Sequence, residues 1–445
     1  MRTNITDMTH GNPTKHLLVF SMPTLIGNIF QQIYNLADSI IVGRFVGAEA
    51  FAAIGATSSI TFLFFALCNG IGSGGGIVVS QFYGAHEEDN VKKCIINTGV
   101  IMLIVPLVIG SLGLLLAPQF LTLLQTPSAI LSDATIYTRY MCVGLLFVSL
   151  YNYLAAMLRA LGDSKTPLYF LIFSTIVNII LDILMVCVLR LGIKGAALAT
   201  IISQLISVVL CAVFSARTNP YFRFCKQDVV LEKAMCSKII YLGVPMSLQF
   251  GLIAISSMAV QRIVNSYGTI VVAAFTATNR IEQLIHQPYT TLGTSLSTYS
   301  GQNFGARRND RVLSGYYAGI RIMVVLTLVL VAIMQFFGGA ITGLFVEEPE
   351  VITLGALGLR ITSLFYLPLG MIYVIRGVLT GIGDAFFSLF NGIVEVIGRF
   401  TIPICFCSYL GFGANGIWIS AGVVWVVSAI TAWIRYLTYF RRKIK

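Results

Sequence analysis

Four hydrogen-bonding side chains follow one another at helical spacing near the end of the first hydrophobic stretch: Gln31, Tyr34, Asn35 and Asp38. Separations of three and four residues place all four on one face of a helix. A carboxylate on an otherwise apolar membrane helix is costly, so it normally faces a cavity or a partner. The stripe therefore predicts a relay or transport site that includes Asp38.

A second carboxylate has similar surroundings in the fifth hydrophobic stretch. Asp182 follows Asn178 by four residues and Thr175 by seven, which gives that helix a polar stripe of its own. The sixth stretch carries a third stripe at the same spacing, made of Thr200, Ser203, Gln204 and Ser207. Three helices of the first half can thus point polar faces into one chamber.

Two carboxylates with amide and hydroxyl oxygens nearby suit a hard cation such as Na⁺, and they suit a proton equally well. Ionising Asp38 and Asp182 together in an apolar setting would cost several kcal/mol. A proton, a sodium ion or a cationic substrate would each relieve that cost, and competition among them would produce exchange. Two structural alternatives remain open. Asp38, six residues before Arg44, could be a helix-end acid at the interface, and Asn178 with Asp182 could simply bridge helices.

The acids of the second half have basic residues at helical spacing. Glu282 precedes His286 by four residues and also has Arg280 and Arg262 available, and Glu395 precedes Arg399 by four. We interpret both as structural pairs rather than ion-coupling groups. The coupling site is therefore expected in the first half.

The composition describes the elements that carry these residues. Of 445 residues, 57% are hydrophobic and only 11% are charged, and the mean hydropathy is +0.86. Such a chain is a polytopic membrane protein, and its continuous apolar runs predict a helical bundle. No catalytic triad, metal cluster or nucleotide-binding motif is recognisable, so we expect neither an enzyme nor a cofactor other than a coupling ion. Glycines 72 and 74–76 lack the lysine of a phosphate-binding loop and indicate close packing.

Hydrophobicity and its breaks predict twelve spans. In the first half they cover residues 15–42, 51–81, 92–117, 129–158, 166–189 and 194–216, and in the second half 235–265, 270–299, 311–343, 351–379, 386–409 and 413–440. The predicted domains are an N-terminal six-helix lobe at 1–216, a basic cytoplasmic linker at 217–234 and a C-terminal six-helix lobe at 235–445.

The basic residues predict the orientation. If both termini are cytoplasmic, 19 of the 29 lysines and arginines fall on the cytoplasmic side, seven lie within spans, and only Arg44, Arg190 and Lys194 lie outside. This is the positive-inside distribution, so the net charge of +11 does not indicate a nucleic-acid partner. We expect a multi-pass protein of the cytoplasmic membrane, in contact with the lipid bilayer and monomeric.

The two halves repeat one another. A shift of 221 positions brings Gly47 onto Gly268, Gln81 onto Gln302, and the Gly-Asp pair at 162–163 onto the pair at 383–384. One offset across nearly the whole half-chain predicts two six-helix repeats, which are parallel because six is even, with a cavity at their interface. The same shift maps Asn178 onto an arginine and Asp182 onto a proline, so coupling should be asymmetric.

Several segments together resemble the multidrug and toxic compound extrusion (MATE) family. They are the Ser-Met-Pro at 21–23, the segments 34–44 and 159–167, Asn178 with Asp182, the segment 195–200, and in the second half 301–306, 376–377 and 381–384. The resemblance covers essentially the whole chain. It implies twelve helices in two lobes forming a V, and export of organic cations driven by inward proton or sodium flow.

The resemblance also implies roles for individual residues. In the branch similar to the DNA-damage-inducible protein F type, the cation site corresponds here to Asp38, Asn178, Asp182 and Thr200, which would also be the Na⁺ ligands. The proline of the first helix, Pro23 here, would bend during the cycle. Other branches carry an acid in the seventh helix, which residues 249–257 lack.

The resulting prediction is a proton- or sodium-coupled antiporter for amphipathic, cationic small molecules. Aromatic and methionine side chains with a few acids suit loosely specified cations through cation–π and dispersion contacts. The residues predicted to line the path are Gln31, Tyr34, Asn35, Tyr137 and Asn152. One alternative is a flippase for a lipid-linked substrate, favoured if Arg139, Arg262 and Arg280 face the cavity. The other is a membrane scaffold without transport activity.

Overall fold

A computed structural model describes residues 4–224 and 228–444, without the side chains of residues 36, 37, 39, 48, 51, 254, 255 and 257–259. Three basic residues of the orientation count, Arg2, Lys226 and Lys445, and the linker positions 225–227 lie outside the described residues. The described chain is almost entirely helical.

The first half contains six long helices. They are α1 (Pro13–Phe45), α2 (Ala48–Gly84), α3 (Glu88–Leu123), α4 (Ser128–Ala160), α5 (Lys165–Asp182) and α6 (Gly192–Thr218). A π-helical segment, Ile183–Val188, continues α5 directly after Asp182, and a 3₁₀ turn at Pro220–Phe222 follows α6. These helices agree with the six predicted spans to within a few residues at most ends.

The second half repeats this order with one interruption. Its helices are α7 (Lys233–Asn265), α8 (Thr269–Gly305), α9 (Asn309–Thr342), α10 (Pro349–Ser363), α11 (Tyr366–Gly381), α12 (Ala385–Ile404) and α13 (Asn415–Arg435). π-Helical segments follow α12 at Cys405–Tyr409 and α13 at Tyr436–Phe440, and α14 (Arg441–Ile444) ends the described chain.

The helix boundaries support the predicted repeat. Adding 221 to the bounds of α2 gives 269–305, which are the bounds of α8. The same addition to the bounds of the π segment after α5 gives 404–409, and the structure has a π segment at Cys405–Tyr409. Turn geometry repeats as well, because Gly162 (φ 82°) and Gly383 (φ 93°) both adopt the left-handed conformation before the fifth helix of each repeat. The two-repeat architecture is thus a property of the backbone as well as of the sequence.

The fourth helix differs between the repeats. Helix α4 is continuous, whereas its counterpart is divided into α10 and α11, which are bent by 50° at Leu364 and Phe365. Pro368 explains the break, because it lacks an N–H and cannot donate to the carbonyl of Leu364 four residues earlier. The sequence analysis treated this span as one helix and overlooked Pro368.

Twelve helical segments can be matched to the predicted spans. Within the described residues, nine helices are long and apolar enough to cross a membrane, and the bent pair α10 and α11 makes ten. Helices α1 and α8 complete the twelve; α8 has polar and charged residues at 279, 280, 282, 283, 286 and 287.

The chain forms two compact units. Unit 1 comprises Met1–Asp7 and Met22–Gly251, and unit 2 comprises Met8–Ser21 and Leu252–Lys445. In unit 1, α4 packs against α2, α3 and α6, and α5 packs against α6. In unit 2, α8 packs against α9, α10 and α11, and α13 packs against α11 and α12. Where the repeats end stays a prediction, with lobes at 1–216 and 235–445 and a linker at 217–234.

The glycine run of α2 makes close contacts within unit 1. A Cβ atom on Gly74 would lie 2.6 Å from the backbone nitrogen of Gly243 on α7, and one on Gly75 would collide with Thr98 of α3. Ser247, one turn further along α7, donates to the carbonyl of Leu67 (2.7 Å). The glycines are therefore packing residues, as the sequence indicated.

Candidate functional site

Helix α5 carries a buried amide and a buried carboxylate one turn apart. Asn178 and Asp182 are both fully buried. Neither the oxygen nor the nitrogen of the Asn178 amide has a hydrogen-bond partner, and neither oxygen of the Asp182 carboxylate has one. Buried polar groups are nearly always paired, and each unpaired one costs about 1–3 kcal/mol. Four such atoms on one helix turn indicate a site that a ligand completes.

Asp182 is the last α-helical residue before the π segment Ile183–Val188. The backbone bond from the Leu189 N–H to the Leu184 carbonyl (2.8 Å) spans five residues instead of four. Such wide turns are rare and are found frequently at functional sites. The local backbone therefore marks the same position as the unpaired side chains.

Helix α1 contributes the second carboxylate and a tyrosine. Tyr34 is buried, and its hydroxyl donates to the Thr200 hydroxyl on α6 (3.1 Å). One turn later, Oδ1 of Asp38 is buried and has no hydrogen-bond partner. Asp38 and Asp182 interact electrostatically with each other and with Tyr34. Four of the residues predicted from the stripes of the first half, on α1, α5 and α6, thus meet inside unit 1.

Helix α4 adds one residue to this cluster, and α6 carries a further unpaired amide oxygen. Tyr137 of α4 is 7% exposed and interacts electrostatically with Asp38 and Asp182. Gln204 of α6, one turn beyond Thr200, is 6% exposed, and its side-chain oxygen has no hydrogen-bond partner. Tyr34 and Tyr137 were predicted for the substrate path, yet both lie beside the carboxylates. Gln204 belonged to a predicted stripe but not to the predicted site.

The other predicted residues of the first half are Gln31, Asn35, Asn152 and Pro23. Asn152 donates to the Val148 carbonyl of its own helix (2.8 Å), which satisfies its amide locally. Gln31 is half-buried and Asn35 is exposed on α1. Pro23 is buried inside α1, directly after the point where the chain passes from unit 2 to unit 1. Their roles in substrate passage and bending stay predictions.

The cluster can hold a hard cation or a proton. It offers carboxylate, amide and hydroxyl oxygens, which are the ligands that hard cations prefer. Within the described residues, no group of three or more His, Cys, Asp or Glu side chains has the geometry of a metal site. Two carboxylates carry the charge, so a single proton or monovalent cation would already halve it. We refer to Tyr34, Asp38, Tyr137, Asn178, Asp182 and Thr200 as the unit 1 cluster.

The polar groups of unit 2 are arranged differently. Glu395 forms its ion pair with Arg376 of α11 (2.7 Å), and Arg376 also donates to Asn391 (2.6 Å). The prediction that Arg399 is the partner of Glu395 was therefore wrong, because helical spacing describes only neighbours on the same helix. Arg399 instead donates to the Ser256 hydroxyl (3.4 Å).

Glu282 does not form the predicted pair either. Its Oε1 is buried without a hydrogen-bond partner, and the ring of His286 instead lies against those of Tyr373 (6.2 Å between centroids) and Trp425 (5.7 Å). Of the two acids expected to be structural, Glu395 is paired across helices, and Glu282 lies beside Thr362 with one carboxyl oxygen unpaired.

Comparison with known proteins places the chain among transporters. The family model MatE matches twice, at residues 23–184 and 245–406. The probable multidrug resistance protein YpnP of Bacillus subtilis (strain 168) is 32% identical over 436 residues, covering 97% of this chain and 96% of that protein. A second protein of that strain, the probable multidrug resistance protein YoeA, is 28% identical over 96% of this chain and 94% of its own length.

A solved structure agrees with the fold. The crystal structure of a MATE protein in the bent conformation superimposes with a TM-score of 0.91 at 24% identity, covering 100% of this chain and 98% of that chain. Two matches of one family model also agree with the repeat seen in the backbone.

Proposed function

This chain belongs to the MatE family, the MATE multidrug efflux transporters that its sequence resembles, and from that premise we propose that it is a cation-coupled antiporter. It would export amphipathic organic cations in exchange for inward protons or sodium ions. The observation that carries the proposal is the set of unpaired buried atoms on Asp38, Asn178 and Asp182. Both termini would be cytoplasmic and the chain would act as a monomer.

The proposed coupling follows from the charge of the unit 1 cluster. With both aspartates ionised, two negative charges share a site whose buried oxygens lack donors. A proton on either carboxylate removes one charge and supplies a donor for a neighbouring oxygen. A sodium ion would instead collect oxygens of Asp38, Asn178, Asp182 and Thr200 as ligands. Either ion lowers the affinity of the cluster for a second cation.

An organic cation would compete for the same charge. Tyr34 and Tyr137 lie beside the two carboxylates, and aromatic faces attract organic cations through cation–π contacts. Binding of the coupling ion would then favour release of the exported cation, and binding of the cation would favour release of the ion. Competition for one negative site is sufficient for exchange, provided that access alternates between the two sides of the membrane.

Proteoliposomes containing the purified protein test this proposal. A pH gradient or a sodium gradient directed out of the liposomes, with the lumen acidic or loaded with sodium, should drive accumulation of a fluorescent organic cation in the lumen, and Asp38→Asn and Asp182→Asn should each abolish it. Asp133→Asn, which changes an exposed carboxylate of α4, is the matched control and should transport normally. Accumulation that ignores both gradients would overturn antiport, and gradient-driven transport by Asp182→Asn would overturn the assignment of the site.

A flippase for lipid-linked anions is a second candidate. Arg139, Arg262 and Arg280 lie on helices α4, α7 and α8, and the surface of each is exposed within its own unit. Exposed guanidinium groups could bind a phosphate headgroup. The same liposomes would distinguish this function, because a fluorescent lipid phosphate would cross in a manner that depends on these arginines and not on Asp182. A membrane scaffold would move neither probe.

A further inference from the structure

The two repeats carry an interhelical site at the same place with different chemistry. In unit 1, α2 and α4 enclose an apolar cavity lined by Thr61, Phe64, Phe65, Met141, Cys142, Leu145 and Val148. Adding 221 to these positions gives Glu282, Ile285, His286, Thr362, Ser363, Tyr366 and Leu369. The residues that line a mostly apolar cavity in unit 1 are thus replaced in unit 2 by a carboxylate, an imidazole and three hydroxyl groups.

The side chains of unit 2 face one another at this place. Glu282 of α8 lies beside Thr362 at the end of α10 and interacts electrostatically with Tyr366 at the start of α11. Thr362 and Tyr366 are fully buried. The Tyr366 hydroxyl has no hydrogen-bond partner, and neither has Oε1 of Glu282. Two unpaired groups that can bond to each other therefore meet at the break between α10 and α11.

The break supplies the second observation. The corresponding helix of the first repeat, α4, is continuous, and the 50° bend of its counterpart lies between Thr362 and Tyr366. Interrupted helices of membrane proteins are tolerated where they line a cavity or an ion site. The only repeat with an interrupted helix is also the one with a carboxylate facing the interruption.

We propose that Glu282 is a proton-binding site of unit 2, held in its protonated form by hydrogen bonds to Thr362 and Tyr366. Because the Thr362 hydroxyl donates to the Leu359 carbonyl (3.4 Å), its oxygen accepts the acid proton, and the carboxyl accepts from the Tyr366 hydroxyl. A proton fits beside the half-buried Glu282 without displacing the fully buried Thr362 or Tyr366.

The charged and titratable neighbours decide which cation the site takes. Arg399 of α12 interacts electrostatically with Glu282 and with His286. Tyr366 faces Glu282 from α11, and Tyr289 of α8 interacts with Tyr366. The guanidinium charge opposes any added cation, the proton included, so it does not choose between them. A single carboxylate offers few ligands to sodium. A proton, which needs one oxygen, is favoured over sodium.

A structural ion pair with Arg399 is the competing explanation of Glu282. No pair with nitrogen and oxygen within 4 Å joins these two residues in the described structure, and the Arg399 guanidinium donates to Ser256. If Glu282 served only as a counter-charge, its carboxylate would be permanently ionised. The protonation state of one side chain therefore separates the two explanations.

Infrared difference spectroscopy of the full-length protein in detergent measures that state directly. The carboxylic acid C=O band is followed from alkaline to acidic buffer in the Asp38→Asn/Asp182→Asn double variant, which removes the carboxyl signals of the unit 1 cluster. We expect one further band that depends on pH, is absent in Glu282→Gln and is shifted in Tyr366→Phe. His286→Asn should retain the band, because the imidazole is not the titrating group.

Three outcomes would overturn the proposal. The band could be absent at every pH above the ordinary carboxyl range, it could be insensitive to Tyr366→Phe, or sodium at constant pH could remove it as a metal ligand would. Glu282→Gln must elute as a folded protein, and if it does not, the shift in Tyr366→Phe decides alone. Since no transport is measured, failure here leaves the function of the unit 1 cluster untouched.

Discussion

Replacement of Asp182 by asparagine should abolish coupled transport and at the same time stabilise the fold. The substitution keeps the shape of the side chain and removes a buried charge whose two oxygens lack donors. The new amide can donate to the unpaired oxygen of Asn178 one turn earlier. Function and stability are thus expected to change in opposite directions, as is common for residues of binding sites.

The magnitude follows from the unpaired atoms. An unsatisfied buried polar group costs about 1–3 kcal/mol, and Asp182→Asn removes at least one such cost. An unfolding entropy of about 2.1 cal/mol/K per residue, applied to 445 residues, converts this to a rise in melting temperature of about 1–3 °C. The rise should shrink in acidic buffer, where the wild-type carboxyl is neutral and resembles the amide.

Thermal unfolding in detergent measures the effect, with Asp384→Asn as the matched control. Asp384 is also buried, but it accepts two hydrogen bonds from Arg435 (2.8 and 3.2 Å), so its substitution should lower the melting temperature. If Asp182→Asn lowers the melting temperature as Asp384→Asn does, then the Asp182 carboxylate is a paired structural group. In that case the reasoning from its unpaired oxygens would be refuted.

Three further predictions concern the backbone. Pro23→Ala should leave the protein folded and slow gradient-driven transport at least severalfold, since it restores a helical hydrogen bond in α1; normal transport would exclude an essential bend. Gly162→Ala should cost at least about 1–2 kcal/mol for the left-handed conformation and more for its collision with the N-terminal segment. Gly268→Ala, with similar φ but open space, should cost only the conformational part; equal melting temperatures would contradict this difference. Gly74→Ala should disrupt the packing of α2 on α7 and lower the melting temperature, whereas Gly55→Ala, which meets no neighbour, should raise it slightly.

The helical architecture could be predicted from the sequence because its signals are local. The length of a hydrophobic run defines a span. A constant offset of 221 links positions such as Gly162 and Gly383, and both adopt the left-handed conformation in the structure. The stripes of α1, α5 and α6 were likewise readable, since spacing on a helix determines which side chains share a face. The prediction that these faces meet inside unit 1 needed only the rule that polar groups avoid lipid.

Contacts between helices distant in sequence could not be predicted in this way. Glu395 has an arginine four residues ahead, yet it pairs with Arg376 on a different helix. Spacing identifies partners within one helix, but the choice among helices depends on packing that a single sequence does not encode locally. Tyr137 was predicted for the substrate path and not for the carboxylate site for the same reason, because its interactions with Asp38 and Asp182 cross helices. Pro368 could have predicted the break from the sequence, but the span was predicted from hydropathy alone.

The two repeats have similar backbone structures, but their buried polar groups lie at different positions. At the position of Asn178, unit 2 has Arg399, and at the position of Asp182 it has Pro403, so the unit 1 cluster has no counterpart there. A guanidinium in place of an amide would oppose cation binding at that point. The unpaired carboxylate of unit 2, Glu282, lies instead where unit 1 has an apolar cavity. Since the carboxylates of the two sites lie on non-equivalent helices, α1 and α5 in unit 1 and α8 in unit 2, their protonation can act on different parts of the fold, and one can be lost without altering the other.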